Sequence, residues 1–242
     1  MSAWLTYRLC RNDANGLAGT KKHGLKELGN RAFLNRVTRV RFEGGKARKP
    51  EFIDLEPLPP QNPADGMALA TPFAIEVSGD DSTLFVSAAG SDKVFSMDAK
   101  SGKVLGRVKV GAVPRGIALD PVTAGKPSRA WVLNAVENSV SVLDVSNPKS
   151  LRVVRTIPLE DPTHPEFKAG RIAFNKADFS STKSFSCASC HTLWTQVSCG
   201  LLSFLISCFV RLLCQGRITS CRTGYVTVSA LAITVDAVFV KL

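Results

Sequence analysis

TPFAIEVSGDDSTLFVSAAGSDKVFSMDAKSGKVLGRVKVG, residues 71–111, is followed at once by a second stretch built on the same plan. That second stretch is VPRGIALDPVTAGKPSRAWVLNAVENSVSVLDVSNPKSLRVVRTIPL, residues 113–159. Pro72 aligns with Pro114, and Ala74-Ile75 with Gly116-Ile117. Leu84-Phe85-Val86 aligns with Ala130-Trp131-Val132, and Val94 to Asp98 with Val140 to Asp144. The offset is 42 at the start and 46 later, so the second copy carries four extra residues near Val122–Pro127. Each copy holds four short runs in which apolar residues alternate, the period of a strand with one buried face. Ser78-Gly79-Asp80-Asp81, Gly90-Ser91-Asp92, Asn134–Asn138 and Ser146-Asn147-Pro148 fall between the runs, as turn residues should. A repeat of this length with four strands per copy predicts the blades of a β-propeller.

The motifs in these copies resemble those of the YVTN-type β-propellers, a group related to surface-layer and quinoprotein-amine-dehydrogenase-like propellers. Blades of that group open with Gly-x-x-Pro-x-x-Ile/Val, here Gly111 to Ile117. They go on to Asn-Ser-Val-Ser-Val-hydrophobic-Asp, here Asn138 to Asp144. The resemblance spans about residues 71–161 and speaks to fold, not activity. Two blades do not close a ring, so the chain reads as a partial propeller, a fragment of the pattern cut at both ends. The runs Arg36–Phe42 and Phe52–Leu55 are candidate strands of a divergent third blade. Open blade edges invite association.

Outside the repeat the chain divides by composition. Residues 1–49 form a basic leader: residues 1–50 carry 12 Lys and Arg against 3 Asp and Glu, within a net charge of +11 for the 242 residues. No base-stacking aromatics are interleaved with those charges, so a nucleic-acid partner is not expected. Residues 50–70 are a connector, with five of the 13 prolines between positions 50 and 65. Residues 162–191 interrupt the repeat, and 192–242 form an apolar tail that contains four of the seven cysteines. The tail's apolar runs, about 200–213 and 225–240, are shorter than the ~20 residues of a spanning helix, so a membrane anchor is not expected. The change of composition at Thr192 fits translation of a different reading frame, which the nucleotide sequence tests.

The chemistry of the chain is concentrated in SFSCASCHTLW, 184–194. Cys187-x-x-Cys190-His191 is the spelling of haem c attachment: two thiols for the porphyrin vinyl groups and an imidazole for the iron. A zinc site needs further ligands at suitable spacing. Cys199, Cys208, Cys214 and Cys221 are available, but no second C-x-x-C follows. Unmodified or disulfide-linked thiols are the third reading.

The lead-in resembles bacterial proteins that join such propellers to cytochrome c or di-haem-peroxidase-like modules. There Gly-Arg-x-x-Phe precedes Ser-Cys-x-x-Cys-His; here these are Gly170, Arg171, Phe174 and Ser186 to His191. The resemblance implies covalent haem c on Cys187 and Cys190, iron on His191, and Arg171 near a propionate. It also implies a periplasmic or extracellular redox protein with a redox partner protein, and haem-dependent, peroxidase-like oxidoreduction if the chain is an enzyme. The opening MSAWLTYRLCRND lacks the apolar run of a secretory signal, at odds with export. Candidate distal ligands are His23, His164, Met67 and Met97, since no His or Met follows His191. The competing reading is a non-catalytic propeller binding module whose haem site is vestigial.

Overall fold

A computed structural model describes residues 2–10, 31, 33–120, 125–190, 226–228 and 231–240. The two repeat copies are two four-stranded antiparallel sheets. The first runs β5 (Pro72–Val77), β6 (Thr83–Ala88), β7 (Lys93–Asp98) and β8 (Val104–Lys109), each strand pairing with the next. The second repeats this order with β9 (Pro114–Leu119), β10 (Arg129–Asn134), β11 (Ser139–Asp144) and β12 (Arg152–Pro158). The repeat extends to the backbone. Thr71 and Val113, each just before an inner strand, both lie in the left-handed region at φ 55° and 59°. Asp92 and Asn138, each at the turn into a third strand, do the same at 52° and 55°. Asp and Asn tolerate this conformation best among residues with a side chain.

A third sheet packs on the first repeat sheet. Its path is β1 (Ser2–Cys10), β2 (Phe33–Glu43) and β4 (Glu51–Asp54), with a two-residue strand β3 (Lys46–Ala47) also on β2. On the other side of β1 lies β14 (Leu231–Val240), which also pairs with β13 (Val226–Val228). The register of β1 on β14 runs from Ala3↔Val240 to Leu9↔Ile233, so segments far apart in the chain share one sheet. The architecture is a partial β-propeller.

The candidate strands at Arg36–Phe42 and Phe52–Leu55 lie in β2 and β4 of this sheet, Leu55 being the residue just after β4. These sheets change three expectations. Part of the basic leader is structure, because its arginines meet acids of β4: Arg36 with Asp54 at 2.5 Å, Arg39 with Glu51, and Arg41 with Glu51 at 3.0 Å. β4 occupies the first residues of the 50–70 connector. Two stretches of the tail are strands of the same sheet. Among the described residues no helix is long and apolar enough to cross a membrane.

Packing between sheets follows the alternation. Ile75, Leu84, Val86, Phe95 and Met97 face Trp4 and Val37 of the third sheet and Leu55 just after β4. Phe85 and Val94, on the opposite face of the first repeat sheet, meet Ile117, Ala130, Val132 and Leu143 of the second. β6 is therefore buried along its whole length, whereas β10 alternates between buried and exposed positions. Deep burial of such side chains supplies about 1.5–3 kcal/mol each.

Candidate functional site

The segment that leads to the dithiol folds across one end of the blades. Helix α1 (Pro165–Asn175) starts where its sequence says it should. His164 caps it, Nδ1 accepting the Glu166 N–H at 3.4 Å; proline opens the first turn, and Glu166 sits at the positive end of the helix dipole. Its partly buried Ile172 packs on Ala89, Ala112 and Val113 of the blades. Phe167 and Phe174 lie on an outer face, Phe167 being 73% exposed. Gly170 lies between them on that face, and a Cβ there would meet nothing within 4 Å.

A turn of 3-10 helix, Ala177–Phe179, then locks onto the first repeat sheet. The Ala177 N–H donates to the Gly90 carbonyl at 2.8 Å, and Ala177 is fully buried. Lys176 Nζ lies 3.7 Å from Asp92 and 3.5 Å from Asp178, while Arg115 Nη2 donates to Asn175 Oδ1 at 3.4 Å. Burial raises the Asp92 carboxyl above the usual carboxylate range, opposed by the Val113 N–H and by Lys176. Lys183 Nζ pairs with Asp65.

Beyond this turn the chain meets a buried charged node. The Asn35 carboxamide nitrogen donates to the Ser184 carbonyl at 2.9 Å and to Glu56 Oε2 at 3.0 Å. The same Glu56 oxygen accepts from Arg31 Nη2 at 2.9 Å, and Oε1 accepts the Leu69 N–H at 3.0 Å. Arg31 is 1% exposed and also reaches the carbonyls of Pro57 and Gln61. Burial raises the Glu56 carboxyl, and Asn35 and Arg31 work against that shift. Ion pairs at such depth persist only with their remaining hydrogen bonds satisfied. This node joins the third sheet, the connector, the first repeat sheet and the lead-in to the dithiol.

Helix α2 (Cys187–Cys190) follows directly. The Ser189 N–H donates to the Ser186 carbonyl at 3.0 Å, and the Ser186 N–H to Ser189 Oγ at 3.0 Å. Both serines are buried and Cys187 is an exposed free thiol, so the turn is anchored on its serine side and presents Cys187 outward. Positions three apart on helical backbone share one side, which is the relation of residues 187 and 190. The Cys190 side chain and all of His191 lie outside the described residues, as does His23.

Of the other candidates, Met97 is fully buried in the core between sheets, Met67 is exposed in the connector, and His164 is the cap of α1. Arg171 donates to Thr163 Oγ1 at 3.0 Å. Among the described residues no three His, Cys, Asp or Glu side chains converge as metal ligands. The sequence reading missed Asn35, Glu56 and Asp92, the residues that tie this segment to the blades. The signal available for Asn35 and Asp92 was a shared Asn/Asp-x-Val step, Asn35-Arg36-Val37 and Asp92-Lys93-Val94, also present at Asn138-Ser139-Val140; nothing of the kind marks Glu56.

No family model matches the chain, and no curated protein matches it. Solved structures do. Hydrazine synthase of Kuenenia stuttgartiensis is 36% identical over 37% of this chain and 24% of its own, with a TM-score of 0.33. Periplasmic gluconolactonase PpgL of Pseudomonas aeruginosa is 23% identical over 53% of this chain and 35% of its own, with a TM-score of 0.39. Dihydro-heme d1 dehydrogenase NirN in complex with DHE is 14% identical over 65% of this chain and 25% of its own, with a TM-score of 0.36. The chain spans about a quarter to a third of the length of these proteins.

Proposed function

We propose that the chain is a haem c-binding redox protein in which a partial β-propeller carries the attachment segment, working outside the cytoplasm with a redox partner protein. The observation that carries this reading is the placement of Cys187. It is an exposed thiol at the head of a helical turn that continues to Cys190, in a segment bonded to the blades through Asn175, Ala177 and Ser184.

The residues present fit the group. A thiol that adds across a vinyl double bond has to be accessible, and Cys187 is, whereas its serine neighbours are buried. The outer face of α1 offers two exposed phenyl rings either side of the open position at Gly170. Cys187 and Cys190 would hold the porphyrin, and His191 would ligate the iron. The bound group would supply a one-electron iron centre. What this chain supplies is position: Asn35, Asp92 and Arg115 fix the lead-in, so the turn is presented in one place relative to the blades.

Expression in an exported form together with haem-ligation machinery tests this directly. The expected result is one haem per chain by pyridine haemochrome and intact mass, lost in Cys187→Ser and in Cys190→Ser. An apo mass for the folded, exported wild type would sink the proposal and leave a non-catalytic propeller binding module.

A further inference from the structure

Equivalent places in the three sheets differ sharply in charge. Asn35, Asp92 and Asn138 correspond, since their carbonyls accept the N–H of Leu55, Val110 and Leu159 at 3.0, 2.9 and 2.8 Å. The residues that follow them are Arg36, Lys93 and Ser139, and directly opposite these lie Asp54, Lys109 and Pro158. Two positions further along, Thr38, Phe95 and Ser141 stand opposite Phe52, Arg107 and Thr156. The third sheet thus sets a cation against an acid, Arg36 against Asp54 at 2.5 Å. The second repeat sheet is neutral at all of these places. The first repeat sheet instead gathers Lys93, Lys109 and Arg107 on one face, Lys93 opposite Lys109 and diagonal to Arg107. Like charges directly opposite destabilise a sheet, and the other two sheets show that the repeat does not require them.

Nothing beside this face balances it. Lys93 Nζ donates to the Gly66 and Ala68 carbonyls at 2.7 and 3.1 Å, which leaves one of its three N–H groups over. Asp92, Asp178 and Glu56 act on Lys93, but each has a cation of its own. Lys176 lies 3.7 Å from Asp92 and 3.5 Å from Asp178, and Arg31 lies 2.9 Å from Glu56. Arg107 has less. Among the described residues it makes no hydrogen bond or ion pair, and its Nε is buried. Burial works against its charge with no acid to offset it. A desolvated guanidinium without an acceptor is costly. Its Nε and the adjoining Nη form a planar fork that matches two oxygens of a carboxylate or phosphate.

We propose that this corner of the first repeat sheet binds a small oxyanion, a carboxylate or a phosphate, held side-on by Arg107 and neutralised by Lys93 and Lys109. The ligand supplies the negative charge that Asp54 supplies at the equivalent place in the third sheet. The site stands apart from the haem reading, because none of its three cations belongs to the segment 162–191.

Urea unfolding of the full chain, wild type and Arg107→Gln, in acetate, in inorganic phosphate and in chloride at matched ionic strength, tests this. General salt effects act on both proteins alike, so the difference between them reads the site. In chloride Arg107→Gln should be at least as stable as the wild type, because an unbalanced charge is gone. In acetate or phosphate the wild-type midpoint should rise by more than that of the variant. The Arg107 Nε–H signal of the wild type, followed by NMR, should shift saturably with the same anion. Lys109→Gln should raise the half-saturation concentration at least threefold, whereas Arg152→Gln, on the exposed β12, should leave it unchanged. Saturation by acetate alone supports a carboxylate ligand, by phosphate alone a phosphate, and by both the shared oxyanion chemistry. No saturable shift with either anion overturns the proposal, and so does an equal shift with chloride. A variant less stable than the wild type in chloride also overturns it, since Arg107 would then have its partner within the fold.

Discussion

The carboxamide oxygen of Asn35 stands 3.0 Å from the backbone nitrogen of Thr71, bridging two sheets with a single side chain. Thr71 is held at φ 55°, so its N–H points out of the strand it precedes and towards the neighbouring sheet. The nitrogen of the same carboxamide serves Glu56 and the Ser184 carbonyl. One residue therefore sets the order of two blades and the course of the chain into the dithiol.

Asn35→Ala is expected to cost about 2–4 kcal/mol, because it strands a backbone N–H, a backbone carbonyl and part of a buried carboxylate's shell together. Urea unfolding of the full chain measures this. Limited proteolysis should show faster cleavage within residues 176–190 of the variant. A variant as stable as the wild type, with unchanged cleavage, would mean that the node is ornamental.

Glu56→Gln separates charge from shape in the same node. It keeps an oxygen for the Leu69 N–H but leaves Arg31, 1% exposed, facing a neutral amide. Loss of one partner of a buried pair costs about 3–5 kcal/mol. Combining Glu56→Gln with Arg31→Met should recover much of the loss, because the uncompensated charge is then gone. Failure of the double variant to recover would show that the hydrogen bonds, not the charge, hold the node.

Gly106 of β8 lies against the backbone of the turn that precedes β12. A Cβ built there would lie 2.5 Å from the Pro148 carbonyl oxygen and 3.1 Å from the Lys149 carbonyl carbon, both backbone atoms that cannot turn aside. Ser96 Oγ donates to that same Pro148 carbonyl. Gly106→Ala is thus expected to push the sheets apart and destabilise by about 1–3 kcal/mol, the range of overpacking. The midpoint of urea denaturation should fall, whereas Gly44→Ala in the open turn after β2, where a Cβ meets nothing within 4 Å but φ is +58°, should cost only about 1 kcal/mol of backbone strain.

The two repeat sheets were legible because their strands are consecutive and their core faces alternate in register, Leu84-Phe85-Val86 against Ala130-Trp131-Val132. The third sheet was only half legible. Its β2 and β4 carry a strand pattern, but β1 and β14 pair across almost the whole chain, Ala3 with Val240, and no local period reports such a pairing. Arg36, Arg39 and Arg41 misled in the same way: read along the chain they are a basic run, and only the fold brings Glu51 and Asp54 beside them. The dithiol spelling of Cys187 and Cys190 was plain from the start. What anchors it to the blades was not, since Ala177 and Ser184 take part through backbone atoms that any residue would offer.

Acid should weaken the chain through two identifiable carboxylates. Asp144 is held at about 2 by the Ser146 hydroxyl and then by Arg152, and Asp161 at about 2 by the Thr163 N–H and then by Lys168. Both values lie below the ordinary 3.8, so the folded state binds these protons less readily than the unfolded state does. Their contribution is fully present above pH 3.8 and is lost as pH falls towards 2. Glu56 and Asp92, raised by burial, act in the opposite sense: their contribution is present at low pH and is lost as pH rises through their folded values. The double variant Asp144→Asn, Asp161→Asn should therefore be less stable than the wild type at neutral pH and converge on it near pH 2. Urea midpoints taken at intervals from pH 7 down to pH 2 measure that convergence. A gap that stays constant with pH would show that these carboxylates act through shape, not through their charge.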